Sequence, residues 1–361
     1  MARLFLPGLA LVVINAVASA QVAVLPVVGS APETGLQYGV TVLHVRRSAD
    51  VDTRPTTIQL YAIATAKQQR QLFLERDWWA PSNARRFYAR LEWIDFPQSY
   101  HGIGWTEAQA QAQAYEEFYR AGGASLHAIL MQRVRGPLFA STSLRWIDRT
   151  LKDREPLGAL AAGDVVGSAG GRVVLPFVGL TWDTRDDIFA PTRGRFVEAN
   201  TGASRTGLGS DFNFSRTTFD ARAYRRLGTA TLALQLYAER HTGSVPFDQL
   251  SLVGGNSVLR GYVRGRFRDK ALMATQAELR LPATRRLTLA VFGGWGQTGP
   301  DFGDAVSAFL LSGPEGSDPY ITAGGGVRWR LFRDARTSVR VDVAAGSYGA
   351  RGLYIALNEA F

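Results

Sequence analysis

Residues 337–346, TSVRVDVAAG, alternate: Val339, Val341 and Val343 point one way, Arg340 and Asp342 the other. The same period of two sets Leu232, Leu234, Leu236 and Ala238 against Gln235, Tyr237 and Glu239, and Thr275, Ala277, Leu279 and Leu281 against Gln276, Glu278 and Arg280. Ile321, Ala323, Val327, Trp329 and Leu331 likewise oppose Thr322, Arg328 and Arg330. Such alternation predicts strands with one apolar and one polar face. A soluble sandwich or barrel would turn the apolar face inward. A transmembrane barrel turns it outward to lipid and keeps a polar lumen. Strand length separates the two. Soluble strands average ~5–6 residues, whereas membrane-crossing strands need ~9–11, and these segments are about that long.

Strands are expected near 22–29, 36–47, 56–67, 71–79, 84–96, 123–135, 139–151, 172–184, 195–204, 215–227, 230–241, 273–283, 287–298, 320–331, 337–346 and 352–361. That is about sixteen, an even number, as single-chain bacterial barrels have. Connections after even-numbered strands are mostly short, and several after odd-numbered ones are long: 97–122, 152–171, 242–272 and 299–319. Short periplasmic turns and long outer loops are the expected topology, with both termini periplasmic. Residues 106–120 read as helical or disordered, in the third outer loop. Trp78, Trp79, Phe87, Tyr88, Trp93 and Phe96 lie near segment ends, where interfacial girdles form. The chain ends on Phe361, which shares a face with Leu353, Ile355 and Leu357.

The first twenty residues combine Arg3, an apolar run from Leu4 to Val17 and the triplet Ala18-Ser19-Ala20. This is the pattern of a signal peptide, too short for a membrane helix, with cleavage near Ala20 and a mature barrel over 21–361. The chain carries a net charge of +10, but its basic residues are scattered. Scatter and export together argue against nucleic acid as a partner. With no cysteine among 361 residues, disulfides, thiolate catalysis and Cys-ligated metals are excluded.

One stretch breaks the strand rhythm: GGNSVLRGYVRGRFRDK, 254–270. Its core, Leu259-Arg260-Gly261-Tyr262, resembles the sixth-loop [VIL]-R-G-[FY] motif of the BamA/TamA superfamily, the bacterial surface antigen barrels. GLTWDTRDDIFAPTRGRFVEAN, 179–200, is similar to that family's strand-turn-strand segment, through Asp183, Thr184, Arg185 and Asp186 and through Pro191-Thr192-Arg193-Gly194. Residues 264–282 resemble the passage from the sixth loop into the twelfth strand. Residues 27–39 and 100–104 resemble the opening of its barrel-only branch. The resemblance implies an all-β fold: a sixteen-stranded transmembrane antiparallel barrel, without POTRA domains, whose sixth outer loop folds into the lumen. There Arg260 would be held by acidic and aromatic groups on strands twelve and thirteen, and Glu278 matches the acidic partner. The family's thirteenth strand usually reads F-x-D-x-G. Here Phe292-Gly293-Gly294-Trp295-Gly296 puts Gly294 in place of the Asp. Either Glu278 holds Arg260 alone, or another lumenal carboxylate such as Asp342 substitutes. Phe361 would be the C-terminal assembly signal.

The implied function is non-enzymatic insertion or translocation of proteins or lipids at the outer membrane, through a seam between first and last strands. Pro26 would weaken the first strand by removing a ladder donor. Outer-membrane lipid, unfolded outer-membrane proteins or a periplasmic protein would be the partners. Two alternatives stand beside it: a passive or anion-preferring pore, given Arg328, Arg330 and Arg340 on inward faces, and a closed structural barrel or surface antigen. An enzyme would need His127 beside Ser141 or Ser143 on the neighbouring strand, but a girdle or lumenal histidine is the plainer reading. Asp183 and Asp186 fit a turn held by Arg185 or Arg193 better than a cation site. Asp186-Asp187 and Glu116-Glu117 read as solvated or capping. No catalytic residue, metal site or cofactor is expected.

Overall fold

The computed structural model describes residues 12–14, 20–31, 34–46, 48–50, 53–104, 116–311, 319–330, 338–357 and 359–361. Sixteen long strands carry the fold: β1 (Ala20–Ala31), β2 (Gly35–Arg46), β3 (Thr56–Thr65), β4 (Arg70–Trp79), β5 (Arg85–Tyr100), β6 (Glu117–Arg135), β7 (Leu138–Lys152), β8 (Gly170–Asp183), β9 (Gly194–Ser204), β10 (Phe214–Leu227), β11 (Ala230–Gly243), β12 (Ala271–Pro282), β13 (Leu287–Gly299), β14 (Tyr320–Arg330), β15 (Ser338–Gly346) and β16 (Arg351–Leu357). Each pairs antiparallel with its successor, from β1–β2 through β8–β9 and β11–β12 to β15–β16. Among the described residues, no helix is long and apolar enough to cross a membrane.

The burial pattern is inverted relative to a soluble protein. Leu36, Tyr38, Leu74, Leu91, Val178, Leu180, Val291, Trp295, Ile321 and Val343 are exposed, while Glu239, Glu278, Arg280, Arg328, Arg340 and Asp342 are buried. On β11, Leu234 is 44% exposed and its neighbour Gln235 4%. An apolar surface running round every strand is far larger than water tolerates. It fits lipid outside and a polar lumen inside.

Three expectations need correction. β6 begins at Glu117, so residues 117–120 are strand rather than helix or disorder, pairing Glu117 with Tyr100 and Arg120 with Pro97. The two-residue period continues there, with Tyr119 buried and Phe118 exposed; residues 105–115 lie outside the described residues. Trp79 and Tyr88 are not girdle residues. Trp79 packs against Met131 and Phe139, and the Tyr88 hydroxyl donates to Glu75 (2.8 Å), whereas Trp93 does face outward. Finally, β16 ends at Leu357, and Phe361 does not continue its outer face. It is buried against Tyr224 and Ala233. The C-terminal segment is drawn inward because Glu359 and the Phe361 carbonyl meet buried arginines: Arg328 Nε to Glu359 at 2.9 Å, Arg280 Nη2 to the Phe361 oxygen at 2.9 Å.

That inward turn shapes the meeting of the first and last strands. β16 lies alongside β1, since a Cβ on Gly29 would sit 3.4 Å from the Ile355 carbonyl oxygen. Counting antiparallel from there, Leu357 reaches the neighbourhood of Val27. The stretch of β1 from Ala20 to Pro26 therefore runs past the end of β16. Among the described residues, its outer edge is paired only with the short strand Val12–Ile14, in register Val12–Val24, Val13–Ala23 and Ile14–Val22. The sheet order makes β16 and β1 neighbours.

Candidate functional site: the docked sixth loop

The sixth loop leaves β11 and returns to β12 through a two-residue ladder, Ser251–Leu252 against Arg268–Asp269. Beyond it the chain folds back on itself: Val253 donates to the Phe267 carbonyl (3.0 Å) and Gly265 to that of Val253 (3.1 Å). Leu259 (φ 54°) and Gly261 (φ 125°) both adopt positive φ at the tip. Glycine adopts that backbone freely, whereas leucine there is strained and must be held. Leu259 is held. It is fully buried, its amide donates to Gln276 Oε1 (3.3 Å), and its Cδ1 fills the space where a Cβ on Gly296 would be, 2.8 Å away.

Leu259, Gly261 and Tyr262 of the motif are seated on small residues. Gly261 approaches β15 so closely that a Cβ would lie 3.1 Å from the Ala345 carbonyl carbon, and the Tyr262 ring covers Gly346. Tyr354 Oη accepts from the Gly261 amide (2.8 Å) and donates to the Tyr262 carbonyl (3.1 Å), while Tyr262 Oη donates to the Ile321 carbonyl (3.0 Å). Tyr262, Phe267 and Tyr320 stack edge and face behind it.

Arg260 is 1% exposed and extends into the lumen wall. Its Nη2 donates to Glu278 Oε2 at 2.6 Å, its Nη1 to Asp342 Oδ2 at 2.5 Å, and its guanidinium lies 3.5 Å from the centroid of the Phe292 ring. The planar fork suits two carboxylates and an aromatic face at once. Of the two arrangements left open by Gly294, the structure has the second: Asp342 stands beside Arg260 together with Glu278. A side chain at position 294 would not fit, because its Cβ would lie 2.5 Å from the Thr275 carbonyl oxygen and 2.8 Å from Gln276 Cβ. Asp342 is on β15, where Gly326 of β14 leaves it room.

The carboxylates serve more than one cation. Arg280 Nε donates to Glu278 Oε1 (2.8 Å), Arg328 bridges Glu278 (3.2 Å), Asp342 and Glu359, and Arg340 lies 3.6 Å from Asp342 while donating to the Asn256 carbonyl (3.0 Å). Four guanidiniums thus share three carboxylates in one buried network that joins the loop tip, β12, β14, β15 and the C-terminus. Buried networks of this kind contribute more to holding one arrangement than to net stability. Alternation placed Glu278, Arg280, Arg328, Arg340 and Asp342 inward, but not their partners. Arg330, expected inward, is exposed at the end of β14. Glu359 and Tyr354 were not anticipated. The signal for Tyr354 is its alternation with the exposed Leu353.

The strand-turn motif forms a separate structure at the short-turn rim. Asp183 accepts from Arg185 (2.9 and 3.0 Å) and from Arg54 of another turn (3.0 Å). Asp186 accepts from the amides of Thr192 (2.8 Å) and Arg193 (3.2 Å), and Asp187 from those of Phe189 and Ala190. Thr184 closes the turn on Arg195. Gly194, at φ 104°, passes so close that a Cβ would lie 2.3 Å from the Thr184 carbonyl oxygen. The aspartates are thus saturated by arginine and amide donors. Among the described residues, no three His, Asp or Glu gather as a metal would require.

Ser141 and Ser143 do not meet His127. Across β6–β7 His127 faces Arg145, while Ser143 faces Ile129 and Ser141 faces Met131. His241 contacts Glu239 and Ser251, each at 3.4 Å, but Ser251 is 1% exposed, out of reach of a substrate.

Residues 176–343, which contain the turn motif, the sixth loop and β12 to β15, match the model of the Omp85 superfamily domain. The fold is similar to BamA from Haemophilus ducreyi lacking POTRA domains 1-3, with a TM-score of 0.60 at 13% identity over 94% of this chain and 70% of that one. It is also similar to CdiB from Acinetobacter baumannii (TM-score 0.55, 10% identity, 95% of this chain and 60% of that one). CdiB from Escherichia coli gives 0.60 at 11% identity, over 92% and 62%. The chain thus spans about six tenths of either CdiB chain. No curated protein sequence matches it. Residues 176–343 match the Omp85 superfamily domain, and the strands that contain them fold like the BamA barrel.

Proposed function

We propose that this barrel resides in the bacterial outer membrane and inserts or translocates proteins or lipids there, without enzymatic chemistry, through the seam between β1 and β16. Structural relatives of BamA and CdiB type reside in that membrane. The observation that carries the reading is the edge of β1 at Val22–Val24. It extends past the end of β16 and accepts an antiparallel strand, Val12–Ile14. An exposed edge binds an extended client through main-chain hydrogen bonds, whatever the client's sequence. Pro26, which offers no ladder N–H, lies where the covered and uncovered parts of the edge meet. Val12–Ile14 fall within the expected signal peptide, so processing near Ala20 would vacate the edge for a client. Unfolded outer-membrane proteins, with or without a periplasmic carrier, are the clients of this reading.

The test is a photo-crosslinking residue at Val24 in cells. Adducts with unfolded or nascent outer-membrane proteins support the reading. Adducts confined to the protein's own last strand, or to lipid, overturn it. A second reading, an anion-preferring pore, is favoured by a cavity of about 2560 Å³ inside the barrel. It requires conductance by the protein alone that rises when residues 254–270 are deleted.

A further inference from the structure

The sixth loop packs on β12 to β16 and leaves the rest of the lumen as an open chamber of about 2560 Å³. The carboxylates that line this chamber already have donors. Glu75 accepts from Tyr88 (2.8 Å), Asp77 from Arg86 (2.8 Å), Glu92 from Arg90 (3.1 Å), Glu116 from Ser99 (2.5 Å) and Asp248, which also attracts Arg149, from Gln249 (3.0 Å), and Glu239 pairs with Arg216 (2.9 Å). The cations are in excess. Arg145, inward on β7, and Arg264, exposed on the sixth loop, both line the chamber, and neither has a carboxylate within ion-pair distance among the described residues. Arg216 and Arg264 stand near enough to Arg145 to repel it, while Glu239, already paired with Arg216, attracts it. Arg149, four residues further along β7, lines the same chamber, and its Nη1 is buried with no hydrogen-bond partner.

Cations left together and partly desolvated cost free energy unless an anion joins them. Guanidiniums on separate elements suit an anion with several acceptor oxygens, because each planar fork takes two of them. We propose that the chamber binds a phosphate-bearing anion, gripped between Arg145 of the wall and Arg264 of the sixth loop, with Arg149 as a further contact. Arg264 belongs to the loop that carries Arg260. The anion is therefore a second tether for that loop, on the opposite side from Glu278 and Asp342. Gly29 and Ile355 of the seam also line the chamber. The phosphate can thus arrive on a soluble molecule or on a lipid headgroup.

The experiment uses the full chain folded in detergent, with inorganic pyrophosphate as the soluble probe. The lipid probe is phosphatidylethanolamine vesicles with and without lipid A. Calorimetric titration should show pyrophosphate binding that Arg145→Gln and Arg264→Gln each weaken about tenfold or more, the loss of one charge-assisted contact. Arg145→Lys should retain part of it. Heat-modifiable gel mobility verifies folding, and Arg264, exposed on a loop, can be changed even where Arg145 cannot. Stabilisation by lipid A alone, lost in the same variants, supports the site and assigns the phosphate to a headgroup. Absence of binding with both probes, or binding unchanged in both variants, overturns the proposal. Neither outcome depends on whether the seam opens.

Discussion

Arg260 and Asp342, 82 residues apart, meet at 2.5 Å inside the barrel, and both side chains are fully buried. The contact pins the tip of a loop to β15. Asp342 supplies the carboxylate that position 294 of β13 cannot, because a Cβ there would meet the Thr275 carbonyl oxygen and Gln276.

Removing Arg260 leaves two buried carboxylates short of a cation. Breaking a buried pair from one side costs roughly 3–5 kcal/mol. Arg328 and Arg280 still serve Asp342 and Glu278, so Arg260→Ala is expected near the lower end. The urea midpoint of unfolding and the heat-modifiable gel shift both report it. Arg260→Lys should recover little, since one ammonium cannot bridge Glu278, Asp342 and the Phe292 face. A lysine variant as stable as the wild type would refute the bridging role.

Gly294→Asp, which restores the more usual family residue, should not repair Asp342→Asn. Asp342→Asn removes a charge shared by Arg260, Arg328 and Arg340. At 294 the new Cβ meets the Thr275 carbonyl oxygen and Gln276, so overpacking of roughly 1–3 kcal/mol is added. The double variant is therefore expected to unfold at lower urea than Asp342→Asn alone. Recovery to wild-type stability would show that the carboxylate site is interchangeable between β13 and β15.

The seam can be locked without background, because the chain has no cysteine. A disulfide between Gly29→Cys and Ile355→Cys joins β1 to β16 where they lie side by side. Under oxidising conditions it should abolish client crosslinks from a probe at Val28, beside the lock, while those at Val24, beyond the end of β16, remain; reductant should restore the former. Loss of the Val24 crosslinks as well would show that the client reaches that edge only through an opened seam.

Asp269, in the ladder at the base of the sixth loop, is 5% exposed. Burial pushes its carboxyl above the usual range, and the like charge of Asp304 adds to this, against the pull of the Lys270 amide and charge. A carboxylate whose folded pKa is raised contributes most below its unfolded value. That contribution is lost as pH rises through the folded value. Protection of the loop amides from hydrogen exchange, corrected for intrinsic rates, should therefore fall as pH rises above about 4. Asp269→Asn should flatten this dependence. An equal pH dependence in wild type and variant would exclude Asp269 as its source.

Alternation by itself determined the strands. Side chains on a strand must face opposite ways, and a barrel in lipid needs apolar residues outside and polar ones inside, so Leu234 with Gln235 and Val343 with Asp342 declare their faces locally. Strand length placed those faces across a membrane. The same rule put Glu278, Asp342 and Arg328 in the lumen, because inwardness depends only on position within one strand. Which inward groups touch depends on strand register, on the thin bed made by Gly296, Ala345 and Gly346, and on the path of a loop through positive φ. None of these is a local property. The tertiary structure alone chose Asp342 for Arg260 and drew Glu359 and Phe361 inward toward Arg328 and Arg280. By ending β16 at Leu357, it left the edge of β1 uncovered below Val27. The physical reason is that a buried charge is satisfied by whichever partner the folded wall brings near, not by the one nearest in the chain.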